Sequence, residues 1–177
     1  VCSSDLFQKI KKNPFLLLAE NKIGNPSVVL FKNNGNEWYN PAYKWLVDIE
    51  GYIKMLQNTS CGYIDKPLIN MSYNDSQVTN TCFRNPSIEV YEWLFLYQQY
   101  KATSTKSILV YDAWWRMIRN LKIVTIAELQ SYSRSLPIPV FLSKIIVFQC
   151  AIPRGILSIG ICSKLFMFFS YLTNRHE

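Results

Sequence analysis

The sequence predicts an α/β fold followed by a helical extension, on three observations. Val28, Val29 and Leu30 form a short apolar run between Pro26 and the turn Asn33-Asn34-Gly35-Asn36, the mark of a buried strand spanning Ser27 to Phe31. A helical repeat runs from about Trp45 to Gln57, with Ile49, Tyr52, Ile53 and Leu56 at i, i+3, i+4 and i+7. Strand-like residues return at Tyr63-Ile64 and from Leu68 to Tyr73, which completes a strand–helix–strand order, and the pattern from Pro86 onward is helical.

The elements follow in order. The chain has no initiator Met, and Val1 to Leu6 reads as translated adapter sequence. Residues 1–6 are therefore set aside as an artefact, and the reading frame is expected to be truncated. Residues 7–22 carry a helical pattern that Pro14 limits to short pieces. Asn40-Pro41 opens a turn before the Trp45 helix, and Asn58 to Ser60 breaks the chain after it. Helices rich in Trp and Tyr are predicted over 87–101 and 106–119, the first started by Asn85-Pro86-Ser87. Thr125-Ile-Ala-Glu128 makes a capping box for a third, which Pro137 and Pro139 end. Ile138 to Leu172 is strongly apolar, with Lys144, Arg154 and Lys164 as its only charges, and Pro153 and Gly155 divide it into two helices. The organisation expected is residues 7–85 as an α/β part, 86–136 as a helical extension and 137–177 as an apolar tail.

Composition bounds the function. A chain of 177 residues with 49% hydrophobic content suffices for one domain with a core. The net charge of +7 suits an anionic partner. No run of Lys or Arg exceeds two, so nothing in the spacing supports nucleic acid, and none is expected as a partner. The five cysteines (Cys2, Cys61, Cys82, Cys150 and Cys162) have neither metal-ligand nor redox spacing and read as free thiols in a reducing compartment. With His176 as the sole histidine, His-based catalysis and zinc ligation are effectively excluded. A Gly-rich phosphate loop and an Asp-x-Asp pair are both absent.

Chemistry therefore falls to carboxylates and polar turns. Asp48 sits near the start of a helix, where the N-terminal dipole favours its ionised form, the form a general base needs. Glu50 lies about 200° around the same helix, so the two acids do not share a face. The plainer reading of both is that they complement the helix dipole. Gly24 and Pro26 shape a turn from which Asn25 and Ser27 could present an amide and a hydroxyl, although ordinary turn chemistry explains these residue types as well. Ser76-Gln77-Val78-Thr79 follows the second strand as the lip of a cleft. Trp93, Trp114 and Trp115 read as core packing ahead of sugar stacking. The apolar tail has three readings: a helix lying on a membrane surface, which the Lys/Arg residues favour, helices folded back on the domain, or a span of 155–172.

Three linked segments, Gly24 to Lys32, Trp45 to Leu56 and Gly62 to Asn70, resemble in order the second half of the catalytic domain of family 2 glycosyltransferases. The resemblance covers residues 7–135, most specifically 24–80. It implies the acceptor half of a GT-A-type domain. Asp48 would be the base of an inverting transfer from a nucleotide-sugar donor to a saccharide or lipid-linked acceptor. Val47 holds the place where the family often has Glu. Asn25, Ser27, Trp45, Glu50 and Gln77 are the substrate contacts it implies; Asn74, Asp75 and Gln77 stand where many relatives carry a His. The donor site and the acidic pair that holds a divalent cation (Mg2+ or Mn2+) would precede Phe7, so the cation's ligands are not expected in this chain, which would be inactive alone. The expected setting is cell-surface polysaccharide biosynthesis, cytoplasmic and at the inner face of the cell membrane, with an anionic membrane surface as a further partner. The alternative is a non-enzymatic, membrane-associated helical interaction protein in which Asp48 is only a cap.

Overall fold

Pro14 cuts the N-terminal pattern into two helices, α1 (Ser4–Lys12) and α2 (Leu16–Ala19). In this computed structural model residues 4–33, 35–64, 66, 68–70, 81–100 and 107–174 are described. They divide into two compact units, Val1–Cys82 and Phe83–Glu177.

In the first unit α3 (Val47–Asn58) buries Tyr52, Ile53 and Leu56 of the four positions its apolar spacing singles out; Ile49 is half-buried, and Met55 is buried as well. Helix α2 packs against it with Leu17 and Leu18 buried. Phe7 and Ile10 on α1 are buried as well, and the Phe7 ring stacks on Tyr63 at 5.6 Å.

The predicted α/β class does not hold: every regular element among the described residues is helical, and none is a strand. Pro26–Val28 is a single 3-10 turn, and the run expected to be buried is open to solvent, with Leu30 91% exposed. Ile64, Leu68 and Ile69 are exposed and belong to no strand. Tyr73 and the rest of 71–80 lie outside the described residues. The physical reason is pairing. A strand is stabilised by a neighbour that takes its N–H and C=O groups, and an apolar run without one gains nothing from full extension. No described segment supplies that neighbour. The GT-A-type sheet expected from the resemblance falls with the strands.

The second unit is built around α5 (Ile108–Leu121), which buries Val110, Tyr111, Trp114, Trp115, Ile118 and Leu121. It packs against α7 (Val140–Cys150) and α9 (Gly160–Asn174), while α4 (Pro86–Tyr100) packs on α6 (Ile126–Tyr132). The short helix α8 (Arg154–Ser158) joins α7 to α9 and packs on α9. Trp93, Trp114 and Trp115 are core, as expected of them. Trp93 and Trp114 meet edge to face at 4.8 Å, and Phe141 packs on Trp114 at 5.7 Å. Arg134 lies over Tyr91 at 4.3 Å.

Local signals place the helix ends. Thr125 caps α6 by accepting the Glu128 N–H at 3.0 Å, and the Glu128 carboxylate reaches back to the Val124 N–H at 2.9 Å. Helix α6 ends at Tyr132, before the prolines expected to stop it. The apolar tail folds as three helices rather than two, since Ile159 leaves the helical conformation between α8 and α9. Among the described residues no helix is long and apolar enough to cross a membrane, so the spanning reading falls. Cys61, Cys82, Cys150 and Cys162 form no disulfide.

The end of α5 yields a prediction. Lys122 is left-handed at φ 59, with its N–H on the Arg119 carbonyl at 3.1 Å and the Ile123 N–H on the Ile118 carbonyl at 3.2 Å. This closing motif favours glycine, because a Cβ in that conformation costs about 1 kcal/mol. Lys122→Gly is expected to stabilise the second unit by up to about 1 kcal/mol, read by urea unfolding; a loss of stability would show that the Lys122 side chain matters more than its backbone.

Candidate functional site

Asp48 lies in the first turn of α3, where N–H groups have no partner within the helix. Its Oδ1 accepts the Ile49 N–H at 2.9 Å, and its Oδ2 accepts Asn21 Nδ2 at 3.0 Å. Asn21 is itself held in a turn. Its Oδ1 accepts the Gly24 N–H at 3.0 Å, and its Nδ2 also donates to the Gly24 carbonyl at 3.0 Å. Gly24 has φ +103, a conformation side chains rarely adopt, which aims this carbonyl inward. The same carbonyl accepts the Tyr52 hydroxyl at 3.1 Å. Tyr52 follows Asp48 by four residues, on the same helix face. Asp48, Asn21, Gly24 and Tyr52 thus form one hydrogen-bonded cluster.

Its electrostatics are those of a partly desolvated acid. Burial pushes the Asp48 carboxyl above the ordinary carboxylate range; the backbone N–H groups and the Asn21 amide oppose the rise without cancelling it. Burial and the nearby Asp48 charge raise the Tyr39 hydroxyl. Tyr52 is raised by burial, then by Asp48 and Tyr39. The phenols therefore stay protonated as donors, while the half-buried Asp48 is the group able to take a proton.

Gly51 sets the position of Tyr39. A Cβ on Gly51 would stand 2.9 Å from Tyr39 Cδ1 and 3.3 Å from the Trp38 carbonyl oxygen. Gly51→Ala is expected to push the Tyr39 ring away from Asp48 and destabilise the first unit by about 1–3 kcal/mol, measured by thermal unfolding; an unchanged melting temperature would show that the ring yields freely.

The residues anticipated from sequence are dispersed. Asn25 and Ser27 are exposed on the 3-10 turn, with the Asn25 carbonyl accepting the Val28 N–H at 3.0 Å. Trp45 is half-buried before α3, and Glu50 is buried, 1% exposed, facing the interior rather than a cleft or solvent. Gln77 lies outside the described residues. Sequence reasoning missed Asn21, Tyr39 and Tyr52 as site residues. The i, i+4 spacing from Asp48 could have pointed to Tyr52, and the Asn21-x-x-Gly24 turn is a weak pointer to Asn21; Tyr39 has no local signal.

Among the described residues no three His, Cys, Asp or Glu side chains come together as a metal site. The described residues thus offer no ligand set for the divalent cation that the resemblance implies. No protein-family model, curated protein or solved structure matches this chain.

Proposed function

We propose that this chain carries the acceptor-activating part of a glycosyltransferase, with Asp48 as the base that deprotonates an acceptor hydroxyl. The observation that carries the reading is the Asp48 cluster. A carboxylate raised by burial is a stronger base than a free one, and Asn21 and the Ile49 N–H hold its two oxygens in place. The order of the three segments that resemble the family supports it; a sheet does not. The acceptor class is a saccharide or lipid-linked hydroxyl compound, and the donor a nucleotide-sugar. The setting proposed is the cytoplasmic face of the cell membrane, in cell-surface polysaccharide synthesis. The reading assigns the donor pocket and its cation to residues other than those described.

The test is sugar transfer by the intact gene product, wild type against Asp48→Asn, with nucleotide-sugar donors and saccharide or lipid-linked acceptors. Unchanged transfer by the variant would sink the base assignment. The rival is a non-enzymatic, membrane-associated helical interaction protein, favoured by the all-helical fold and the exposed apolar face of α9. It predicts no transfer by either form.

A further inference from the structure

Helix α9 is turned inside out relative to a helix that packs in water. Its buried face carries Ser163 and Ser170, 1% and 0% exposed, together with Met167. Its outward face carries Ile161, Leu165 and Phe168, 85%, 54% and 42% exposed, with Phe169 beside them. Ile161, Leu165, Phe168 and Leu172 fall at i, i+4, i+7 and i+11, a continuous stripe along the helix.

Hydrogen bonds hold this orientation. Ser163 Oγ accepts both the Trp115 indole N–H at 3.1 Å and Arg119 Nη1 at 2.8 Å. Ser170 Oγ pairs with the Tyr111 hydroxyl at 2.8 Å, and Asn174 Nδ2 donates to that hydroxyl at 3.0 Å. Rolling the apolar stripe inward would break all four and strand buried polar groups of α5.

We propose that this stripe docks on an anionic lipid bilayer, with α9 lying in the plane of the interface. Three features select that occupant. Between Ser135 and Asn174 the chain has Lys144, Arg154 and Lys164 and no acid, so the segment that carries the stripe is positively charged. Lys164 is exposed on α9 itself, one turn before Phe168, and Lys144 lines an open groove with Val140, Val147, Thr173 and Asn174. A symmetric second copy would bring these cations against their own equivalents, whereas anionic headgroups neutralise them. With 15 residues, α9 is about 22 Å long, short of the roughly 30 Å hydrocarbon core, so it lies on the bilayer rather than across it. This inference does not depend on the glycosyltransferase reading.

The experiment is flotation of the full chain with vesicles of phosphatidylcholine alone and of phosphatidylcholine with phosphatidylglycerol. Binding is expected to the anionic vesicles above all. Phe168→Asp and Leu165→Asp, both at exposed positions, should each weaken it about tenfold or more with the helical circular dichroism and melting temperature unchanged. Lys164→Gln should weaken it about fivefold, and on anionic vesicles alone. The milder Leu165→Ser serves if either aspartate variant melts early. Three results would overturn the proposal: no binding to anionic vesicles, full binding by folded variants of the stripe, or a self-associated chain that Phe168→Asp dissociates without any vesicle binding.

Discussion

Asp48→Asn is expected to reduce sugar transfer by the intact gene product about 10²–10⁴-fold, the contribution typical of a positioned general base. The substitution is close to isosteric. Asn can still accept from either Asn21 or the Ile49 N–H, so the cluster should persist with one hydrogen bond fewer. The pH behaviour separates a base from a cap. The folded carboxyl titrates above its unfolded value, so the folded state holds the proton more tightly. Stability from that protonation is full below the unfolded value and is lost as pH rises through the folded one. The stability of wild type relative to Asp48→Asn should therefore fall from acidic to neutral pH, as read by urea unfolding across that range. The opposite slope is the mark of a carboxylate stabilised by the helix N-terminus, which would make Asp48 a cap. The proposed base role predicts an acid limb of kcat/KM for sugar transfer raised above the ordinary carboxylate value.

Trp115→Ala is expected to destabilise the second unit by about 3–5 kcal/mol, the usual cost of removing a large aromatic side chain from a core. Against a total of about 5–15 kcal/mol for a domain, that is a major loss. Trp115 is fully buried, its ring meets Phe148 edge to face at 6.1 Å, and its indole N–H is held by Ser163. Its carbonyl accepts the buried Gln149 amide at 2.9 Å, a bond the substitution leaves available. The loss therefore comes from the cavity and from one of the anchors of α9. Chemical unfolding followed by far-UV circular dichroism gives the value. A cost below about 1 kcal/mol would mean that the unit collapses around the missing indole, contrary to the packing described.

How far these features were legible in advance depends on the range of the interaction behind each. Helix α3 was readable because its buried positions recur at helical spacing and Asp48 falls in its first turn. Asp48 could be named as a candidate from that position alone, but Asn21 and Tyr39 reach it from 27 and 9 positions away, and no local pattern announces such contacts. Glu50 illustrates the converse. Two positions from Asp48, it is one of the substrate contacts that the resemblance implies, yet the helix turns it into the core.

Interactions within a few residues of each other were enough to mark the breaks at Pro14 and Pro153, the Thr125 cap and the helical character of nearly everything after Pro86. Proline geometry, capping hydrogen bonds and helical periodicity act over one or two turns, so composition and spacing carry them. Two outcomes needed the folded chain. Val28 to Leu30 has strand composition, but a strand exists through a partner, and none pairs with it among the described residues. For the apolar tail, composition and spacing leave open whether the stripe on α9 lies outward on a membrane surface or folds back on the domain. It faces outward because Trp115, Arg119 and Tyr111 on a helix more than forty residues away claim the serines and the asparagine on its other side. Periodicity shows that a helix has two faces; the neighbour it meets decides which of them is turned inward.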